Sequence, residues 1–120
     1  MTQAASHASA FYREVAANQR VWTVRDEGGF PAPKTHDGRR SQPFWSSLSR
    51  VEAIIENVPA YAVFEPYEIS WSDFCRAWVP GLMNDGLLMG VNWSGPKAFG
   101  YDLEPKTVQE HVETLMSETG

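Results

Sequence analysis

One thiol, three imidazoles and fifteen carboxylates are the groups in this 120-residue chain with the chemistry to make or break bonds. The thiol is Cys75, and nucleophilic catalysis by it requires a base within hydrogen-bonding reach and an accessible, electropositive setting. Cys75 instead shares a helical stripe with Phe74 and Trp78, the pattern of an inert core cysteine. The imidazoles belong to His7, His36 and His111, which fall in the N-terminal segment, a polar loop and the last helix. None has metal-ligand spacing to another histidine or to Cys75, so neither a metal nor a cofactor is expected. His36-Asp37 sits in a Gly-containing turn and reads as a solvated loop pair. Glu65 and Glu68 flank Pro66-Tyr67 and offer an acid–base pair on paper, while turn chemistry accounts for Asp85. Gly28-Gly29 is a turn pair and the other glycines are scattered, which does not make a phosphate-binding loop.

Two other kinds of residue are better placed to bind than to react. Asn92 continues the apolar run Leu87-Leu88-Met89-Gly90-Val91, and a buried amide there must find hydrogen-bond partners or cost about 1–3 kcal/mol. It reads either as a satisfier of neighbouring backbone or as a ligand contact at a strand end. Trp22, Trp45, Trp71, Trp78 and Trp93 are too many large rings to be equally deep in one small core. Trp45 and Trp93 each end an expected strand beside a Ser-containing turn, where a ring can stand half open. With Tyr101 they define a candidate aromatic binding surface.

The elements that must position these residues follow from periodicity and punctuation. Ala8, Phe11, Tyr12 and Val15 form a helical stripe between about Ser6 and Asn18. Val21–Arg25 alternates as a strand with Trp22 and Val24 on one face. A short return near Phe30, limited by Pro31 and Pro33, and an extended piece over Ser41–Trp45 would complete an antiparallel meander. Ser46 or Ser47 caps a second helix with Leu48, Val51, Ile55 and Val58 on its face, ended by Pro59. Tyr61–Phe64 reads as a strand closed by Pro66. Ser70 caps a third helix with the stripe Trp71, Phe74, Cys75, Trp78 and Val79, ended or kinked by Pro80-Gly81. Leu87–Trp93 is apolar on both faces, the signature of a central strand. A last strand over Ala98–Leu103 and a final helix from Pro105 follow. The sum is a single α+β domain over 1–120, with a mainly antiparallel sheet of about five or six strands and about four helices. Residues 1–5 are expected to be a flexible tail, and 34–42 a polar surface loop.

Charge and length narrow the partners. Ten basic against fifteen acidic side chains leave a formal charge of -5, and Arg39-Arg40 is the nearest approach to a basic stripe, so nucleic acid is not expected. No run approaches the roughly 18 apolar residues of a membrane span, and no signal-peptide pattern opens the chain. With one cysteine and hence no internal disulfide, the expected compartment is the cytoplasm.

Two tracts resemble the bacterial family DUF2750. One is Val21-Trp22-Thr23-Val24-Arg25-Asp26-Glu27-Gly28-Gly29 followed by Pro43-Phe44-Trp45-Ser46. The other is Trp78-Val79-Pro80-Gly81-Leu82 running into Asp85-Gly86-Leu87-Leu88-Met89-Gly90-Val91-Asn92-Trp93. The resemblance spans roughly Phe11 to Val112, with a departure in the longer polar loop Lys34 to Gln42. It implies a stand-alone bacterial domain and carries no catalytic role, because the family name denotes unknown function.

Two functions remain. The preferred one is a non-catalytic interaction module with an acid-rimmed aromatic surface around Trp45, Trp93 and Tyr101. Its partner would be a protein or a second copy, in a regulatory or immunity-type role. The alternative is a small-molecule-binding or enzymatic domain with a pocket at the strand ends near Asn92. A deep concave pocket at that place holding a titratable residue with a shifted pKa would favour the second, and a flat or convex surface the first.

Overall fold

The computed structural model describes residues 2–119. Thr2 caps helix α1 (Gln3–Asn18) by accepting the Ala5 N–H through its hydroxyl, and Gln19 closes it in the left-handed region at φ 55°. The helix thus begins at Gln3, inside the segment 1–5 expected as a tail, and Met1 lies outside the described residues. Ala8, Phe11 and Val15 are buried along the expected stripe.

Strand β1 (Arg20–Arg25) pairs antiparallel with β3 (Glu65–Ser70). Strand β4 (Leu88–Ser94) has β2 (Ser41–Phe44) parallel on one side and β5 (Phe99–Leu103) antiparallel on the other. One antiparallel bridge joins the two sheets, in which Trp22 and Trp45 exchange backbone bonds of 2.8 and 2.7 Å. Strand β4 is central and buried along nearly its whole length, as its apolar run requires.

Three expectations about strands and loops are corrected. The early meander is not formed among the described residues: near Phe30 there is an Asp26–Gly29 bridge in place of a return strand, and β2 makes its ladder with β4. Tyr61–Phe64 is not a strand, since Pro59 starts a 3₁₀ turn, Pro59–Tyr61. The strand lies one segment later, in β3, whose charged residues conceal it. Arg25 and Glu65 face each other across the pair, and Arg20 reaches Glu68 at 2.7 Å. Its Pro66 is tolerated because, among the described residues, β3 pairs with β1 alone. The polar loop stops at Arg40, because Ser41 and Gln42 are buried in β2.

Helix α2 (Leu48–Asn57) is capped by the Ser47 hydroxyl, which accepts the Arg50 N–H. Ser70 caps α3 (Trp71–Asp73), which continues through a π-helical turn (Phe74–Trp78) into α4 (Val79–Asn84). The helical run thus passes Pro80 rather than ending there. The wide turn explains this, because Val79 N–H donates to Phe74 and Pro80 follows where the register has already opened. Helix α5 (Pro105–Thr119) buries Val108 and Val112.

The sheets separate two clusters of buried side chains. The larger joins α1, α5 and the α3–α4 run to Val21, Phe44, Ile69, Met89 and Val91. The smaller gathers Val24, Trp45, Val51, Ile54, Tyr61 and Trp93 under α2. Trp22 packs on that cluster beside Val24, sharing a face with it as the alternation predicts.

Candidate ligand pocket at the end of β4

A bulge in β4 builds the site. Val91 pairs with Tyr101 and Ser94 with Phe99, so Asn92 and Trp93 together oppose Gly100 alone. Asn92 takes the extra residue's conformation at φ 49°, a region that asparagine tolerates better than most. Uninterrupted alternation would send Trp93 to the face of Met89 and Val91. The bulge sends it to the other face, where its ring lies over Gly90.

The amide of Asn92 is engaged within the protein. Its Oδ1 accepts the Ser46 backbone N–H at 2.9 Å, and its Nδ2 donates to Ser46 Oγ at 2.9 Å and to the His7 carbonyl at 3.1 Å. Ser46 Oγ in turn donates to Glu14 Oε1 at 2.6 Å. Glu14 is held bidentate by Arg50, at 3.0 Å from Nε and 2.9 Å from Nη2. The Arg50 guanidinium keeps the Glu14 carboxyl below the usual carboxylate range, against the opposing effect of partial burial. One polar chain thus ties α1, the start of α2 and the bulge together.

Beside this chain lies a pocket of about 400 Å³. Trp45, Trp93 and Ile54 form its apolar wall, and His7, Arg50 and Ser94 its polar rim. Both indoles are fixed from behind. Trp45 Nε1 donates to the Trp93 carbonyl at 2.9 Å, and Trp93 is wedged against Gly90 and Gly100. Ser94 Oγ and His7 Nδ1 are 2.9 Å apart at the mouth. A serine–imidazole contact is the first requirement of an activated nucleophile, and a third group orienting the imidazole is the second. Among the described residues no side chain hydrogen-bonds His7 Nε2, so the pair offers a donor and an acceptor to a ligand rather than an assembled dyad.

Three of the four residues singled out from the sequence meet here. Asn92, Trp45 and Trp93 all line the pocket. Trp45 and Trp93 are not half open, being 0 % and 6 % exposed, so the aromatic surface expected around them is a buried wall. Tyr101 is not with them. It pairs with Val91 and shares that residue's face, opposite Trp93, and is 42 % exposed. His7, weighed as a metal ligand, and Ser46, weighed as a helix cap, were not expected at this site, and Arg50 and Ser94 were not singled out. Of these only Ser94, in the break Ser94-Gly95-Pro96 directly after the strand, carried a local signal.

The other candidates disperse. Cys75 stands apart from the pocket, and its thiol is pushed up to about 11, by burial first and then by the Glu113 carboxylate. His111 stacks on Tyr12 with ring centroids 3.9 Å apart. Among the described residues no group of three or more His, Cys, Asp and Glu could hold a metal ion, and no helix is long and apolar enough to cross a membrane.

The family model described as "Protein of unknown function (DUF2750)" matches residues 8–112. No curated protein matches the chain. Among solved structures, Anabaena Tic22 (protein transport) is similar at 13% identity and a TM-score of 0.41, over 68% of this chain and 45% of that one. This chain thus spans under half the length of that structure.

Proposed function

Since the chain belongs to the DUF2750 family, whose description assigns no activity, we propose that it is a small-molecule-binding domain with its ligand in the pocket at the end of β4. The observation that carries this reading is the concave site of about 400 Å³ walled by two immobilised indoles. Its volume lies within the ordinary range for ligand sites, roughly 300–1,000 Å³, and few placed polar groups in a mainly apolar lining are typical of them. It stands where β2 and β4, a parallel pair, both reach their C-terminal ends, a recurrent position for ligands in sheets with parallel strands. The ligand class is a compact, ring-bearing molecule. Its flat face would lie against the exposed edge of Trp93 and against Ala53 and Pro96, and its polar edge would meet Ser94, His7 and the outer side of Arg50.

Ligand-observed NMR with a library of aromatic fragments tests the reading. Ala53 lies on the exposed side of α2 and lines the pocket, so Ala53→Trp fills the site without entering the core. Fragments are expected to bind the wild type, compete with one another and lose binding in Ala53→Trp. A library without hits, or hits unaffected by the added ring, would overturn it.

Phe99 and Tyr101 favour a second reading, self-association through the outer edge of β5. They are 68 % and 42 % exposed on a strand whose other edge has no partner among the described residues. An open edge is a template for pairing with another chain. On this reading light scattering up to millimolar concentration gives a dimer that Phe99→Lys abolishes. A wild-type monomer across that range would sink it.

A further inference from the structure

A second, smaller pocket of about 310 Å³ lies on the opposite face of β2, between that strand and the α3–α4 run. Phe30, Trp78, Leu82 and Leu87 make its apolar walls, Asp85 stands at its border, and Gln42 projects from β2 into its lining. Gln42 is 5 % exposed. Among the described residues its Nε2 is buried without a hydrogen-bond partner. Among the described residues one other buried side-chain atom, Trp93 Nε1 in β4, shares this state, whereas the buried hydroxyl and amide residues in and beside β2 are paired. Thr23 donates to the Pro43 carbonyl at 2.8 Å, Ser41 to Asp102 at 2.6 Å, and Ser46 and Asn92 satisfy each other. Buried amides are nearly always paired, so an amide whose buried nitrogen has no partner beside a cavity needs a reason.

The geometry around it is also built rather than incidental. Trp78 ends the π-helical turn, whose widened register places Ala77 and Trp78 on the pocket wall and lets the chain continue through Pro80 to Gly81 and Leu82. Such turns recur at functional sites. Phe30 is seated edge-on against Trp78, with centroids 4.9 Å apart, and closes the outer side.

We propose that this pocket is a binding site for a small carboxamide or lactam, recognised by Gln42. A primary amide presents one donor and one acceptor side by side. The ligand group that satisfies both at once is another amide in cis arrangement, offering its N–H to Oε1 and its carbonyl to Nε2, while the ring of a lactam lies against Trp78 and Leu82. The Asp85 carboxylate disfavours anions, so a neutral ligand is selected over a carboxylic acid of the same shape. This site is separate from the pocket beside Trp93, and neither proposal depends on the other.

The test is an NMR titration with 2-pyrrolidinone and with cyclopentanone, which has the same ring and carbonyl but lacks the N–H. The wild type is expected to prefer the lactam by about 10-fold, with shifts at the Trp78 indole rather than at Trp45 or Trp93. Gln42→Leu and Gln42→Met should erase that preference and raise the urea midpoint, because each removes the open amide and keeps the volume. Equal affinity for the two probes would overturn the proposal, as would a preference that survives in both variants or a lowered midpoint in both. Shifts confined to Trp45 and Trp93 would assign lactam binding to the other pocket and overturn it as well.

Discussion

Gly90→Ala is expected to cost about 2–3 kcal/mol of folding stability and to abolish ligand binding beside β4. A Cβ at Gly90 would sit 2.4 Å from Trp93 Cε2 and 2.5 Å from its Nε1, closer than real contacts allow. The indole cannot slide toward β5, because Gly100 is already in close contact with it: a Cβ there would lie 3.1 Å from Trp93 Cδ1. The open direction is the pocket of about 400 Å³ that Trp93 lines. Relief of the clash therefore fills the binding site, which makes binding more sensitive than stability. Gly81→Ala is the control, since a Cβ there meets nothing within 4 Å and Gly81 lies in α4. Helix propensity predicts a gain of about 0.5–1 kcal/mol for it. Urea denaturation with the fragment screen reads both effects. A Gly90→Ala protein as stable as the wild type and still binding fragments would show that the indole does not rest on Gly90.

Asn92→Ala should cost a similar amount, about 3 kcal/mol, for a different reason. Deleting the amide strands the buried Ser46 N–H, a loss of about 1–3 kcal/mol, and removes the bond to the His7 carbonyl. Alanine at φ 49° adds backbone strain of roughly 1 kcal/mol beyond what asparagine experiences. Asn92→Gly separates the two contributions, because glycine loses the same hydrogen bonds and is free of the strain. The expected order of stability is wild type, then Asn92→Gly, then Asn92→Ala, with about 1 kcal/mol between the variants. If Asn92→Gly proves the less stable of the two, the left-handed bulge is wrong. Against a total stability of about 5–15 kcal/mol either loss is large. Both variants should also loosen the Ser46–Glu14–Arg50 chain and so displace Arg50 from the pocket rim.

The helices were legible from the order of residues because their signals are local. The stripe of Ala8, Phe11 and Val15, the caps Ser47 and Ser70, and Pro105 at the start of α5 each involve residues within a few positions of one another. The continuous apolar run of β4 likewise announced a central strand. Strand β3 was not legible. Only Ile69 in it is buried, and its Arg–Glu partners arrive from a strand about 45 residues away. Whether Pro80-Gly81 ended or only kinked the third helix stayed open, because a π-helical register is set by how the turn packs, not by which residues it contains.

For the site the division is sharper. Composition and pattern alone determined that Asn92 would be a buried amide needing partners and that indoles would crowd the strand ends, since burial follows from apolar neighbours. Which way those indoles point was decided only by tertiary pairing. Two residues of β4 oppose one of β5, and that mismatch exists only once the strands are side by side. It turns Trp93 from the larger cluster to the smaller one. The result is a wall of a cavity where an exposed aromatic surface had been expected, and His7 and Arg50 are carried to its rim from helices that no local pattern connects.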